Sequence, residues 1–277
     1  MFARMPTNDR RTFLKTVGVA TGALGLTGTG VVLAQQDDDS EHEDSLRGWT
    51  DPGANSGRSY STTDSGPTPY ATSDLMTELD GNEWFEPLVA DGTVYVSPLT
   101  SVSDIGMMSS VAAYDVETGE RKWKQDGIPG PQTATVSDGT LYYTDHVGEG
   151  NDRRVNALHA PDTETGERKW QREASWSRPV VASGRVYVGR ESEEAAYALD
   201  SETGETLWKS EGISGSPCYA DGTVFFDGTA LKAEDGAELW SNDTFTPYAV
   251  SDGLIYGSGS NGLEARTASD GTIVVCG

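Results

Sequence analysis

Two histidines come closest to metal chemistry. His146 and His159 stand near Glu149 and Asp152, and imidazole with carboxylate is a donor set that transition metals accept. No His-x-x-x-His spacing or cysteine pair completes such a set, so no metal is expected. Asp115, Asp162 and Asp200 recur in an Asp-x-x-Thr-Gly turn. Calcium takes about six to eight oxygens, more than one turn offers, so these carboxylates are expected to cap their own turns. There is no Gly-x-Ser-x-Gly, no cysteine–histidine pair in a motif and no phosphate-cradling glycine loop. No residue is assigned a catalytic role.

Binding chemistry has better candidates. Two stretches are seven residues longer than the matching stretch of the unit that follows them. One is Pro98–Ser110, with Met107 and Met108; the other holds His146, Arg153 and Arg154. Trp176 lies outside any repeated position. Long loops on a rigid scaffold are where binding residues gather. Met107, Met108, His146, Arg153, Arg154 and Trp176 are therefore the candidates for binding a partner. The competing reading has the methionines covering the core and the charges solvated.

Charge narrows the partners. Among 277 residues, 44 are Asp or Glu and 20 are Lys or Arg, a net charge of −24. A polyanion such as nucleic acid is excluded as the main partner. The acidic excess runs along the whole chain, as in adaptation to high salt, where the Debye length falls to about 3 Å. Hydrophobic residues make up 35%, enough for a core.

The chain opens on an address. Arg10 and Arg11, followed by Phe13, Leu14 and Lys15, resemble a twin-arginine export signal. An uncharged run follows, ending at Val32-Leu33-Ala34, which suits cleavage. Residues 1–34 are read as a signal peptide, with a retained anchor as the alternative. Residues 35–47 are an acidic linker and 48–277 the folded domain. After cleavage no segment is expected to insert in a membrane, and the protein is expected at the cell surface or outside the cell.

Repeats set the architecture. Ala90-Asp91-Gly92-Thr93-Val94-Tyr95-Val96 returns at 137–143, 182–188, 220–226 and 251–257 in related form. Asp-Gly between apolar runs is a hairpin signal. It alternates with Ala-x-Asp-x-x-Thr-Gly-x-x-x-Trp, intact at Ala113–Trp123, Ala160–Trp170 and Ala198–Trp208. Ala230–Trp240 keeps Gly236 and the tryptophan, and Ala265–Val275 loses the tryptophan. Each unit predicts four short antiparallel strands, A to D, and in the third these are 177–182, 185–189, 195–199 and 205–209. Such units at 32- to 47-residue spacing describe an all-β propeller of five full blades. Residues 48–84 leave a sixth blade or a closing strand open. Trp123, Trp170, Trp208 and Trp240, with Gly119, Gly166, Gly204 and Gly236, are read as packing between blades.

This repeat resembles the tryptophan-docking motif of the pyrroloquinoline quinone-like (PQQ-like) β-propeller family. Trp49–Arg58 looks like the opening of exported, haloarchaeal-type members. The resemblance implies a propeller of seven or eight blades in most members, so this chain is a small propeller or a truncated relative. Quinoprotein dehydrogenases of that fold set adjacent cysteines over the quinone. Here Cys218 and Cys276 stand apart, and PQQ is not expected. The function expected is a non-catalytic scaffold binding a protein partner. A glycan-binding or glycan-active propeller is the alternative, with an unknown small ligand, and a PQQ-dependent dehydrogenase comes after it.

Overall fold

The computed structural model describes residues 48–49, 86–103, 106–129, 131, 134–145, 156–242, 245–260 and 262–276, all within one compact unit, Ser45–Gly277. The expected signal and linker, residues 50–84 of the open sixth blade or closing strand, and His146, Arg153 and Arg154 lie outside the described residues.

The described chain is nearly all strand. A two-residue strand, β1 (Gly48–Trp49), pairs with the inner edge of the first blade. That blade holds β2 (Leu88–Ala90), β3 (Thr93–Val96), β4 (Leu99–Ser103), β5 (Gly106–Asp115) and β6 (Arg121–Pro129). The second blade comprises β7 (Ala134–Ser137), β8 (Thr140–Thr144), β9 (Ala157–Pro161) and β10 (Arg168–Glu173). The third runs β11 (Val180–Ala182), β12 (Arg185–Arg190), β13 (Ala195–Asp200) and β14 (Thr206–Glu211). The fourth is β15 (Cys218–Ala220), β16 (Thr223–Phe226), β17 (Thr229–Lys232) and β18 (Glu238–Ser241). The fifth is β19 (Thr246–Ser251), β20 (Leu254–Gly259), β21 (Gly262–Thr267) and β22 (Ile273–Cys276). The last four sheets have four antiparallel strands each, in sequence order. The innermost strands β2, β7, β11, β15 and β19 pack in series, and among the described residues no comparable contact returns from β19 to β2.

Local chemistry explains the hairpins. Each A–B turn puts two successive residues at positive φ, as Asp91 (46°) with Gly92 (71°) and Ser183 (51°) with Gly184 (68°) do. That is the type I′ turn, whose twist matches the strands it joins. Strand A of the third blade is shorter than expected. Pro179 has no N–H for the ladder, and the Ser177 hydroxyl instead accepts the Gly189 N–H at 2.7 Å.

The C–D turns close on their aspartates. Asp200 Oδ1 accepts the Glu202 and Thr203 N–H groups at 3.0 and 2.8 Å and the Thr203 hydroxyl at 2.9 Å. Asp115 and Asp162 do the same in their turns. Backbone and hydroxyl donors hold Asp115 and Asp200 below the ordinary carboxylate value of 3.8; Asp162, whose burial opposes the shift, is lowered by its donors and by Lys169. A lowered carboxylate stabilises the fold above its unfolded value and loses that contribution as pH falls through the folded one. The stability these turns supply is therefore expected to be lost as pH falls below 3.8, which acid titration monitored by circular dichroism would follow. The Asp200→Ala variant is expected to be weaker at neutral pH by about 1 kcal/mol and to lose less stability on acidification than the parent. Equal acid sensitivity of the two would contradict the capping account.

Each blade grips the next. In the third blade Tyr187, Ala196, Ala198 and Trp208 pack on Val224, Phe226, Leu231 and Ala233 of the fourth. The tryptophan of one blade lies on the turn glycine of the following one: Trp123 on Gly166, Trp170 on Gly204, Trp208 on Gly236 and Trp240 on Gly271. Its indole N–H reaches a carbonyl of that same turn, Thr163 at 2.7 Å, Ser201 at 2.9 Å, Ala233 at 3.0 Å and Ala268 at 2.9 Å. An aromatic on strand B flanks the indole, as Tyr142 does with Trp170 at 5.8 Å between ring centroids.

One expectation is corrected. Of Pro98–Ser110, residues 99–103 and 106–110 form a β-ribbon rather than a loop. β4 pairs with the extended β5, Val102 opposite Met107 and Ser103 opposite Gly106. Its Ser/Val/Met pattern supplies the alternation that a ladder accepts.

Candidate functional site

The fifth blade breaks the series. The strand-B aromatic is buried in the first four blades: Tyr95, Tyr142, Tyr187 and Phe225 are 2% exposed or less. Its fifth counterpart, Tyr256, is 44% exposed. Register defines the face around it. Tyr256 stands opposite Ala249 and Ala265, Ser258 opposite Leu263, and Ala265 opposite Val275, the position where other units carry tryptophan. Leu263 is 70% and Tyr248 54% exposed, and the Tyr248 hydroxyl bonds Ser258 Oγ at 2.8 Å. In earlier blades this face receives the next sheet. Among the described residues nothing receives it here.

The opposite face of the same sheet is well packed. Val250, Ile255 and Phe245 meet Cys218, Phe225 and Ala230 of the fourth blade. A buried ion pair joins them: Arg266 Nε reaches Glu264 Oε2 at 2.9 Å, and the guanidinium lies 4.5 Å over the Phe245 ring. The exposed face is thus one side of an ordered sheet rather than a frayed end.

Two clefts open beside it. The larger, about 630 Å³, lies between the fourth and fifth blades; Ser214, Asp227, Thr229, Thr246, Ser258 and Ser260 supply its polar groups. The smaller, about 420 Å³, is walled by Arg178, Ser216, Pro247 and Tyr248 and shares Asp227 and Thr246 with the larger. Burial raises the Asp227 carboxyl above its ordinary value, against the Thr246 hydrogen bond, and the nearby Glu191 charge adds to the rise.

The sequence candidates are scattered. Met107 and Met108 are on the ribbon strand β5, and Met108 Cε faces Gly127. Trp176 is in the core at 7% exposure, edge-on to Tyr197 at 5.2 Å, with its N–H on the Arg172 carbonyl at 3.0 Å. Arg172 and Arg190 place their guanidinium carbons 5.8 and 5.7 Å from its ring centroid. That ring belongs to the core cluster of Tyr142, Trp170 and Val188. His159 bonds Asp145 at 2.9 Å and stacks on Tyr143, inside the second blade. Sequence reasoning missed Tyr248, Tyr256, Leu263 and Asp227. The signal for the first three was the fifth unit's missing tryptophan.

Two features bear on PQQ, a ring that carries three carboxylates. Cys218 is on the inner strand of the fourth blade and Cys276 on the outer strand of the fifth, so they cannot sit side by side over a ring. A tricarboxylate in the clefts would also face the Asp227 carboxylate.

Four-stranded blades locked by indole-on-glycine contacts define a tryptophan-docking, PQQ-like β-propeller. The chain belongs to the family described as outer membrane protein assembly factor BamB, whose profile matches residues 71–242 and 151–275. Among solved structures it is similar to a quinohemoprotein alcohol dehydrogenase of Pseudomonas putida HK5, at 16% identity and TM-score 0.57, over 82% of this chain and 47% of that one. It is also similar to the quinohemoprotein alcohol dehydrogenase of Comamonas testosteroni, at 16% identity and TM-score 0.53, over 82% and 48%. BamB from Moraxella catarrhalis matches at 17% identity and TM-score 0.47, over 66% and 57%. The chain spans about half the length of the two dehydrogenases. At these identities the likeness is one of fold. No curated protein matches.

Proposed function

We propose that the chain is an exported, non-catalytic propeller that binds another protein at the cell surface through the uncovered face of its fifth blade. The exposure of Tyr256, at a position buried in every earlier blade, carries this reading. The family description, an assembly factor, supports it.

The four internal interfaces show what such a face accepts. Each receives a sheet that presents aliphatic side chains, such as Val186, Val188 and Leu199 of the third blade. Each also demands a turn glycine and a carbonyl for the incoming indole. The fifth blade, with Val275 in place of tryptophan, drops that second demand. Its occupant therefore need not be a further repeat of the same motif. An apolar β-sheet face of a different protein, laid over Tyr256 and Leu263, meets what remains. Exposed aromatic and aliphatic groups clustered in this way mark interaction sites.

Capture from a native surface extract in molar KCl tests this. Leu263→Glu and Tyr256→Asp should each lower recovery of a partner about tenfold or more, with thermal stability of the Leu263 variant nearly unchanged because that residue is exposed. Cutting back the β4–β5 ribbon should leave recovery intact. Equal recovery by parent and face variants, or loss only on trimming the ribbon, would move the docking surface elsewhere. Recovery of the chain's own second copy would replace the foreign partner with self-association.

A further inference from the structure

Asp227 occupies the turn between β16 and β17, and the backbone crowds it. A Cβ on Gly215 would lie 2.4–2.6 Å from its carboxyl atoms, so only glycine lets the carboxylate stand there. Its own N–H donates to the Ser214 carbonyl at 3.2 Å. Thr246 hydrogen-bonds the carboxylate. Among the described residues no lysine, arginine or histidine forms an ion pair with it. A half-buried carboxylate without a counter-ion is costly unless something else supplies the opposite charge.

The larger cleft shows what that something is. Around Asp227 it offers the hydroxyls of Ser214, Thr229, Thr246, Ser258 and Ser260 and, among the described residues, no basic group. An anion would meet the carboxylate and a chain of charge −24. A neutral ligand would leave Asp227 uncompensated. A primary ammonium is a compact charge with three donors, matched by one carboxylate and neighbouring hydroxyl oxygens. Arg178 walls the smaller cleft, whereas the described lining of the larger one holds no basic group, so a cation belongs in the larger one.

Position links the cleft to the docking face. Tyr248 stands on the uncovered face and also walls the smaller cleft, which shares Asp227 and Thr246 with the larger. A protein seated on the fifth blade has the cleft at its edge. We infer that the Asp227 cleft receives a lysine side chain of the protein that docks on the fifth blade. The inference rests on the docking reading for the source of the lysine, but the cleft can be tested alone.

The full chain would be titrated with Nα-acetyl-lysine methylamide and with its norleucine counterpart, followed by saturation-transfer NMR. The lysine compound should bind and the norleucine compound should not. Asp227→Asn, which keeps the shape and removes the charge, should weaken lysine binding about tenfold or more without lowering the thermal midpoint. Equal binding of both compounds, no binding of the lysine compound, or unchanged binding by the Asn variant would overturn the assignment. If the lysine compound fails while Tyr256→Asp still loses its partner, the cleft assignment falls and the docking reading stands. Lysine-specific binding with unchanged capture by Tyr256→Asp would overturn the docking reading and the link between the two sites.

Discussion

Trp208→Ala is expected to destabilise the propeller by about 3–5 kcal/mol, the range for truncating a large buried aromatic. The indole is 8% exposed and lies between Tyr187, 6.0 Å away between centroids, and the turn glycine Gly236. Its removal opens a cavity at the seam of the third and fourth blades and takes away the N–H donor to Ala233. Tyr187 also donates to that carbonyl, at 3.4 Å, so the acceptor is not left bare and cavity formation is the main cost. Trp240→Ala should cost less, because Trp240 is only partly buried at the seam with the fifth blade. Denaturant unfolding followed by far-ultraviolet circular dichroism would measure both. A loss under about 1 kcal/mol for Trp208→Ala would mean that the seam repacks and the indole is not its anchor.

Gly204→Ala is the second large effect. Gly204 has φ near +72°, and a Cβ there would sit 2.7 Å from two ring atoms of Trp170. The left-handed backbone costs alanine about 1–2 kcal/mol, and pushing the indole aside adds about 1–3 kcal/mol of overpacking. Gly222→Ala is the matched control. Its φ is +74°, yet nothing lies within 4 Å of the added carbon, so it should show only the backbone part. The difference between the two variants isolates the contact between blades. Equal losses would place the whole cost in the turn and none in the seam.

These two residues also show how far the sequence could be read. The Asp-Gly hairpins and the repeated Trp and Gly are local signals, and local geometry carries them into strands and turns. Which glycine each tryptophan meets is not local. Trp170 stands four residues after Gly166 yet docks on Gly204 of the next blade, and only the stacking of sheets decides that. Trp176 shows the converse: it lies outside the repeat, yet Tyr197 and two arginines enclose it. The insertion 98–110 differs in kind from a loop because its alternation pairs with an extended β5. The fifth-blade face was legible only as a missing tryptophan at Val275. That Tyr256 is exposed follows from no described sheet lying over it, which a motif cannot state. Asp227 was silent in the sequence because its setting depends on Gly215, in the connection between the third and fourth blades.

The central claim is that the fifth-blade face binds a different protein, and a photoreactive residue placed at Leu263 tests it most directly. Leu263 is 70% exposed, whereas Leu207, 48% exposed on an outer strand of the third blade, serves as the control position. Irradiation in intact cells is predicted to join position 263, and not position 207, to a distinct second protein. Cross-links from 263 only to this chain, or equal labelling from both positions, would contradict the account.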